Sequence, residues 1–192
     1  WSLSSCDQFA SVFLNRGLRQ DAICPCAISS EALTVSIRRP GNSGNVPTGR
    51  GIVSMNALSH GVIRVDQEST VASLSLQDCG LILPNSFAAV VKVEDTTKLC
   101  KTDEIGEILI SSPAVASCYW GLQGLTQSVF GERLAQDDTA VYENQTFVRT
   151  GLLGFIGPGS LVFICGTRDG LMQVSGRRHN TDDLIATILS VE

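Results

Sequence analysis

The chain has 192 residues, 43% of them apolar and 17% charged, with a net charge of −5 at pH 7. This composition belongs to a globular protein, and the length is enough to bury a core, so a disordered chain is excluded. The acidic balance leaves no electrostatic footprint for nucleic acid, Arg38-Arg39 and Arg177-Arg178 being isolated basic pairs, and no apolar run approaches the roughly 18 residues that a transmembrane segment needs.

Residues 4–16 read as a helix. Ser4 or Ser5 can cap it, Phe9, Val12 and Phe13 share one face, and Gly17 ends it. A short buried strand follows over 23–26. Then Leu33, Val35 and Ile37 alternate with Thr34, Ser36 and Arg38, a strand with one wet face. Between these two strands stands Glu31, as a solvated loop carboxylate or as a ligand for metal and nucleotide. Residues 40–51 form a loop of Gly, Pro, Asn and Ser character. Short apolar segments follow at 52–58, 62–65, 81–83, 87–93 and 106–110, and a short helix over 126–134. Strands at intervals of about 8–12 residues predict a small barrel or distorted sheet.

Residues 152–156 and 161–165 are apolar strands joined by Gly157-Pro158-Gly159-Ser160, a hairpin in which Pro presets φ and Gly159 takes φ > 0. A third strand covers 171–174. Ser175-Gly176-Arg177-Arg178-His179-Asn180 is polar and reads as a loop, after which Asn180 or Thr181 caps a helix with Asp182 and Asp183 in its first turn. The pattern around Glu192 has no Gly or Pro stop, so the chain reads as a piece of a longer protein at both ends.

The seven cysteines, an odd number with mostly apolar neighbours, read as reduced structural thiols of an intracellular, cytoplasmic protein. Cys24-Pro25-Cys26 lacks the two-residue gap of zinc and redox pairs. Asn144-Gln145-Thr146 fits a glycosylation sequon, which matters only in a secreted protein. With two histidines, His60 and His179, no nucleophile elbow, no phosphate loop and no locally spaced metal ligands, the chain shows no self-sufficient catalytic set.

Five stretches in order carry a resemblance. They are Pro25-Cys26-Ala27-Ile28-Ser29-Ser30-Glu31-Ala32, Glu104-Ile105-Gly106-Glu107-Ile108-Leu109-Ile110, Tyr119-Trp120-Gly121, Phe147-Val148-Arg149-Thr150-Gly151-Leu152-Leu153-Gly154-Phe155 and Ser175-Gly176-Arg177-Arg178-His179-Asn180. Together they resemble the second half of an adenylate-forming enzyme, of the fatty acyl-AMP ligase kind, over essentially the whole chain. The resemblance implies an α/β (α+β) fold: a distorted small β-barrel with flanking helices and the start of a small C-terminal domain. Residues 1–166 would then belong to the large domain, with the barrel at about 40–155, and residues 167–192 to the hinge and the mobile subdomain.

By the same resemblance, ATP and Mg²⁺ are the cofactors, and a fatty acid or its acyl-adenylate is the ligand of the full-length protein. Arg149, Thr150, Gly151 and Glu31 would lie at the nucleotide, Glu31 also at Mg²⁺. Asp169 and Gly170 would form the hinge, and Gly176, Arg177, Arg178 and His179 a loop of the small domain. The stretch from Ile37 to about Val65 falls where these ligases carry a segment associated with restraining that domain.

The departures bear on function. Ala27 and Ile28 replace a tyrosine and a glycine, Leu152 replaces the aspartate that grips the ribose hydroxyls, and Thr167 replaces a ribose-contacting arginine. Losing that aspartate costs on the order of 2–3 kcal/mol of binding. The family's phosphate loop and C-terminal lysine are not in this sequence, so the piece is expected to hold no nucleotide and to be inactive alone. Three readings stay open: a working ligase with an altered site, a pseudo-ligase that binds lipid, and a module that binds protein partners. Arg149 reads equally as a salt bridge pinning the hairpin, Arg177 to His179 as a solvated loop, and Tyr119 and Trp120 as barrel packing.

Overall fold

The computed structural model describes residues 3–19, 21–40, 49–67, 73–134 and 144–181, with 184, 185 and 188. Most of residues 40–51, together with Asp182 and Asp183, lies outside the described residues.

Helix α1 (Leu3–Leu14) opens the chain. Gly17 takes φ +90 and donates its N–H to Leu14 O, while Leu18 donates to Phe13 O, so the helix ends where the glycine predicts. Its apolar face, Phe9, Val12 and Phe13, is exposed. Strands β1 (Cys26–Ser29) and β2 (Leu33–Ile37) pair antiparallel, and β5 (Leu81–Ile82) adds to the other side of β2. The expected strand at 23–26 is therefore displaced toward Ile28. Pro25 cannot donate to a ladder, and its carbonyl accepts from Arg38 N at the edge of the pairing.

Strands β3 (Arg50–Ser54) and β4 (Ser73–Gln77) form a separate two-stranded antiparallel sheet. The segment expected at 52–58 divides there: Met55–Leu58 turns into a single-turn helix, α2. The main sheet has five strands, in the order β10 (Val162–Thr167), β9 (Phe147–Ile156), β7 (Gly106–Ser111), β6 (Phe87–Val91), with β8 (Phe130–Glu132) against β9. Helix α3 (Gln123–Val129) stops short of the expected 134, because Gly131 takes φ +86 and the chain enters β8. The hairpin between β9 and β10 turns through Pro158–Ser160, Gly159 at φ 68.

The result is a mixed α/β fold, mostly sheet, curved into a half-barrel. Packing explains the near-continuous apolar run of β7. On one face Ile108 and Ile110 meet Ala27 and Val35 of the three-stranded sheet, with Val148 and Val162. On the other face Leu109 meets Ala89, Val91 and Phe147. A strand covered on both sides loses the alternation of a half-wet strand. Val53 and Leu76 of the β3–β4 sheet close over Phe155 and Phe163, whose rings stack at 4.9 Å.

Residues 175–180 differ from the loop expected there. Leu171–Val174 (β11) and Arg177–Asn180 (β12) make a second hairpin about Ser175 and Gly176, at φ 50 and φ 77. Two positive-φ residues in a two-residue connection suit the twist of a hairpin. The polar composition misleads because a two-stranded ribbon at the surface needs no apolar face; β11 itself is mostly exposed. The cysteines also depart from expectation: Cys26 and Cys118 are exposed and the other five are only half-buried.

Candidate functional site

The site begins with a carboxylate inside an apolar strand. Glu107 of β7 is 1% exposed and needs partners, since a buried charge without them is costly. Arg149 provides them from β9: its Nε donates to Glu107 Oε1 at 3.2 Å and its Nη2 to Oε2 at 2.6 Å. Its Nη1 reaches Ser128 O at 3.4 Å. Arg149 is thus held by a forked ion pair that pins β9 to β7.

The next residues follow from that anchor. Thr150 Oγ1 donates to Ile108 O at 2.6 Å and accepts from Leu152 N at 3.1 Å. Gly151 O accepts from Arg168 N at 2.8 Å. Leu152 packs against the cluster that contains Ala27. Leu152 and Thr167, which the sequence singles out separately, face each other as partners in the β9–β10 ladder. Arg149, Thr150 and Gly151 therefore form one corner with Leu152, Thr167 and Arg168.

Glu31 approaches from the small sheet. Its backbone carbonyl accepts from Ala116 N at 2.8 Å, and its Oε1 accepts from the Tyr119 hydroxyl. Tyr119 does more than pack. Its ring meets Phe130 edge-on at 5.5 Å, and its N–H donates to Thr126 Oγ1 at 3.0 Å. The hydrogen bond to Glu31, then burial, then the carboxylate charge push the phenol up to about 12. Helix α3 joins the two arms: Thr126 binds Tyr119, Ser128 binds Arg149, and Phe130 beyond it pairs with Val148. Trp120 is exposed.

Asp169 is exposed, and Gly170 donates its N–H to Thr167 Oγ1 at 3.3 Å. Gly176 lies in the hairpin turn, and Arg177, Arg178 and His179 lie on β12. Arg178 is tied down: its N–H donates to Ser59 O at 2.8 Å beside α2, and its guanidinium pairs with Glu94. Neither His179 nor Gly176 comes to the Arg149 corner through any hydrogen bond or ion pair among the described residues. Two members of the site escaped the sequence reading. Glu107 was legible as a lone charge in an apolar run, Gly-Glu-Ile-Leu-Ile, but its partners were not. Arg168 carried no local signal. Among the described residues, no group of three or more His, Cys, Asp or Glu side chains could hold a metal, and no helix is long and apolar enough to cross a membrane.

No protein-family profile matches the chain. Over its whole length it is 54% identical to disco-interacting protein 2 of Drosophila melanogaster, of which it spans 12%. Over 95% of its length it is 30% identical to the medium-chain-fatty-acid–[acyl-carrier-protein] ligase JamA of Moorena producens, covering 29% of that protein. Among solved structures, the fatty acid AMP ligase of Legionella pneumophila matches with a TM-score of 0.72 at 23% identity, over 86% of this chain and 27% of that one. The chain thus spans between 12% and 29% of the length of these curated relatives.

Proposed function

We propose, for a chain that belongs to the disco-interacting protein 2 family and has the adenylate-forming fold, that it supplies one wall of a fatty acyl-AMP-forming unit whose grip on the nucleotide sugar is weakened. In this reading residues 1–166 complete the large domain, and residues 167–192 begin a small one. The ligand of the full protein is a fatty acid or its adenylate, a reading that JamA, a fatty-acid ligase, and the Legionella fatty acid AMP ligase support. The observation that carries the reading is the pairing of Leu152 with Thr167 beside Arg149 to Gly151. Two positions at which the family places ribose contacts are neighbours in space, and neither carries a charge.

Glu31 is the residue that would hold Mg²⁺. The hydroxyl of Tyr119 occupies Oε1, which leaves Oε2 for a cation. Mg²⁺ binds through one or two carboxylates together with substrate phosphates, so a single glutamate fits such a site. When bound, the ion neutralises phosphate charge. Tyr119 fixes the direction of Glu31, and Ala116 fixes its backbone. The stretch from Ile37 to about Val65 restrains the small domain in this reading, supported by the Ser59 contact with Arg178.

A second reading, a pseudo-ligase that binds lipid or a protein partner without turnover, is favoured by Leu152 and Ala27 meeting in one apolar cluster. The test is acyl-AMP formation by the full-length protein with fatty acids of several lengths, beside Glu31→Ala. Product that disappears in Glu31→Ala supports the ligase. Equal product in both removes Glu31 from the reaction, and none in either rejects the ligase in favour of the binding module.

A further inference from the structure

Glu107 binds a second arginine. Arg168 Nη1 donates to Oε2 at 2.6 Å, the same oxygen that Arg149 Nη2 reaches at 2.6 Å. Arg168 is the first residue after β10, and its side chain is 38% exposed. Its own N–H donates to Gly151 O at 2.8 Å. One residue of the connection is therefore fastened to β9 by its backbone and to β7 by its side chain.

The connection it fastens leads to the β11–β12 hairpin, which Arg178 also holds at Ser59 and Glu94. The β11–β12 hairpin is a two-stranded sheet that shares no ladder with the main one. Between the two sheets lie only Arg168, Asp169 and Gly170. Arg149 alone would satisfy the buried carboxylate, so the second guanidinium is not required to offset its burial. What Arg168 adds is location, because it is the cation that comes from the connection.

We propose that Arg168 is a positioning residue: through Glu107 it clasps residues 166–170 to the Arg149 corner and sets the orientation of the β11–β12 hairpin beside it. Arg168 is partly exposed and Glu107 keeps Arg149, so this contact can open without leaving the buried carboxylate unpaired. The idea rests on the reading above only for its consequence, that a hairpin held in one orientation presents one arrangement to the nucleotide.

Hydrogen exchange on the full-length protein, Arg168→Ala and Arg168→Lys tests it. In Arg168→Ala the amides of residues 168–180 should exchange about fivefold faster, those of β6 and β7 should be unchanged, and Arg168→Lys should restore most of the protection. Unchanged exchange in Arg168→Ala, or acceleration spread equally into β6 and β7, overturns the clasp. ATP titration of the same proteins separates the two claims. Local acceleration with no ATP binding in any of the three supports the clasp and removes the nucleotide reading.

Discussion

At Tyr119 a phenol proton lies between its own oxygen and the Glu31 carboxylate, and that sharing makes the proton harder to remove. The phenol rises from an ordinary value of about 10 to about 12. Because the folded value is the higher one, the stability it confers is fully present below about pH 10 and is lost as the pH climbs toward 12. In an ultraviolet titration, the difference between the protein and Tyr119→Phe should be one phenol with a midpoint near pH 12. Glu31→Gln should bring that midpoint back toward about 10. A parent midpoint already near 10 would mean that the hydrogen bond does not form in solution. The same residue shows what sequence reading resolves. That Tyr119 packs is expected of an aromatic side chain; that its hydroxyl orients Glu31, 88 positions earlier, is not legible in the sequence.

Among the elements, the β11–β12 hairpin depends on two close approaches. Asn180 at the end of β12 is buried, and a methyl built on Gly166 would overlap its side-chain amide. Thr181 N also donates to Gly170 O at 3.0 Å, and a Cβ on Gly170 would stand 2.8 Å from Thr181 Oγ1. Gly166→Ala should therefore cost about 1–3 kcal/mol by overpacking. Adding Asn180→Ala should recover part of that loss, with a coupling of at least about 1 kcal/mol in a denaturation cycle. Strictly additive costs would show that Asn180 does not sit on Gly166. Local signals were sufficient for the Gly17 helix stop and the Pro158-Gly159 turn, since each is decided by the backbone preferences of one or two residues. They failed for Arg177–Asn180, where hairpin geometry overrides a composition that reads as loop.

For the molecule as a whole, the question is whether the corner of Arg149, Leu152 and Thr167 still receives a nucleotide. If the proposed reading holds, Leu152→Asp in the full-length protein places a carboxylate where it would meet the ribose. A charge-assisted pair of about 2–3 kcal/mol should tighten ATP by roughly 30–100-fold. Leu152 also packs on the first core cluster, so the same change should lower stability, by about 1–2 kcal/mol. Calorimetry measures the first effect and thermal unfolding the second. Loss of stability without any gain in ATP affinity would leave Leu152 as a packing residue and favour the binding module.

From residue order alone came the period of the strands, the turns, and five motifs in the spacing of an adenylate-forming enzyme. These are local or collinear properties, and they survive being read one stretch at a time. Only the folded chain decided who neutralises Glu107. Arg149 lies 42 positions away and Arg168 61, and both reach it because β9 runs between β7 and β10. A buried charge announces that it needs a partner; which partner it takes is set by strand order, and no local pattern encodes that.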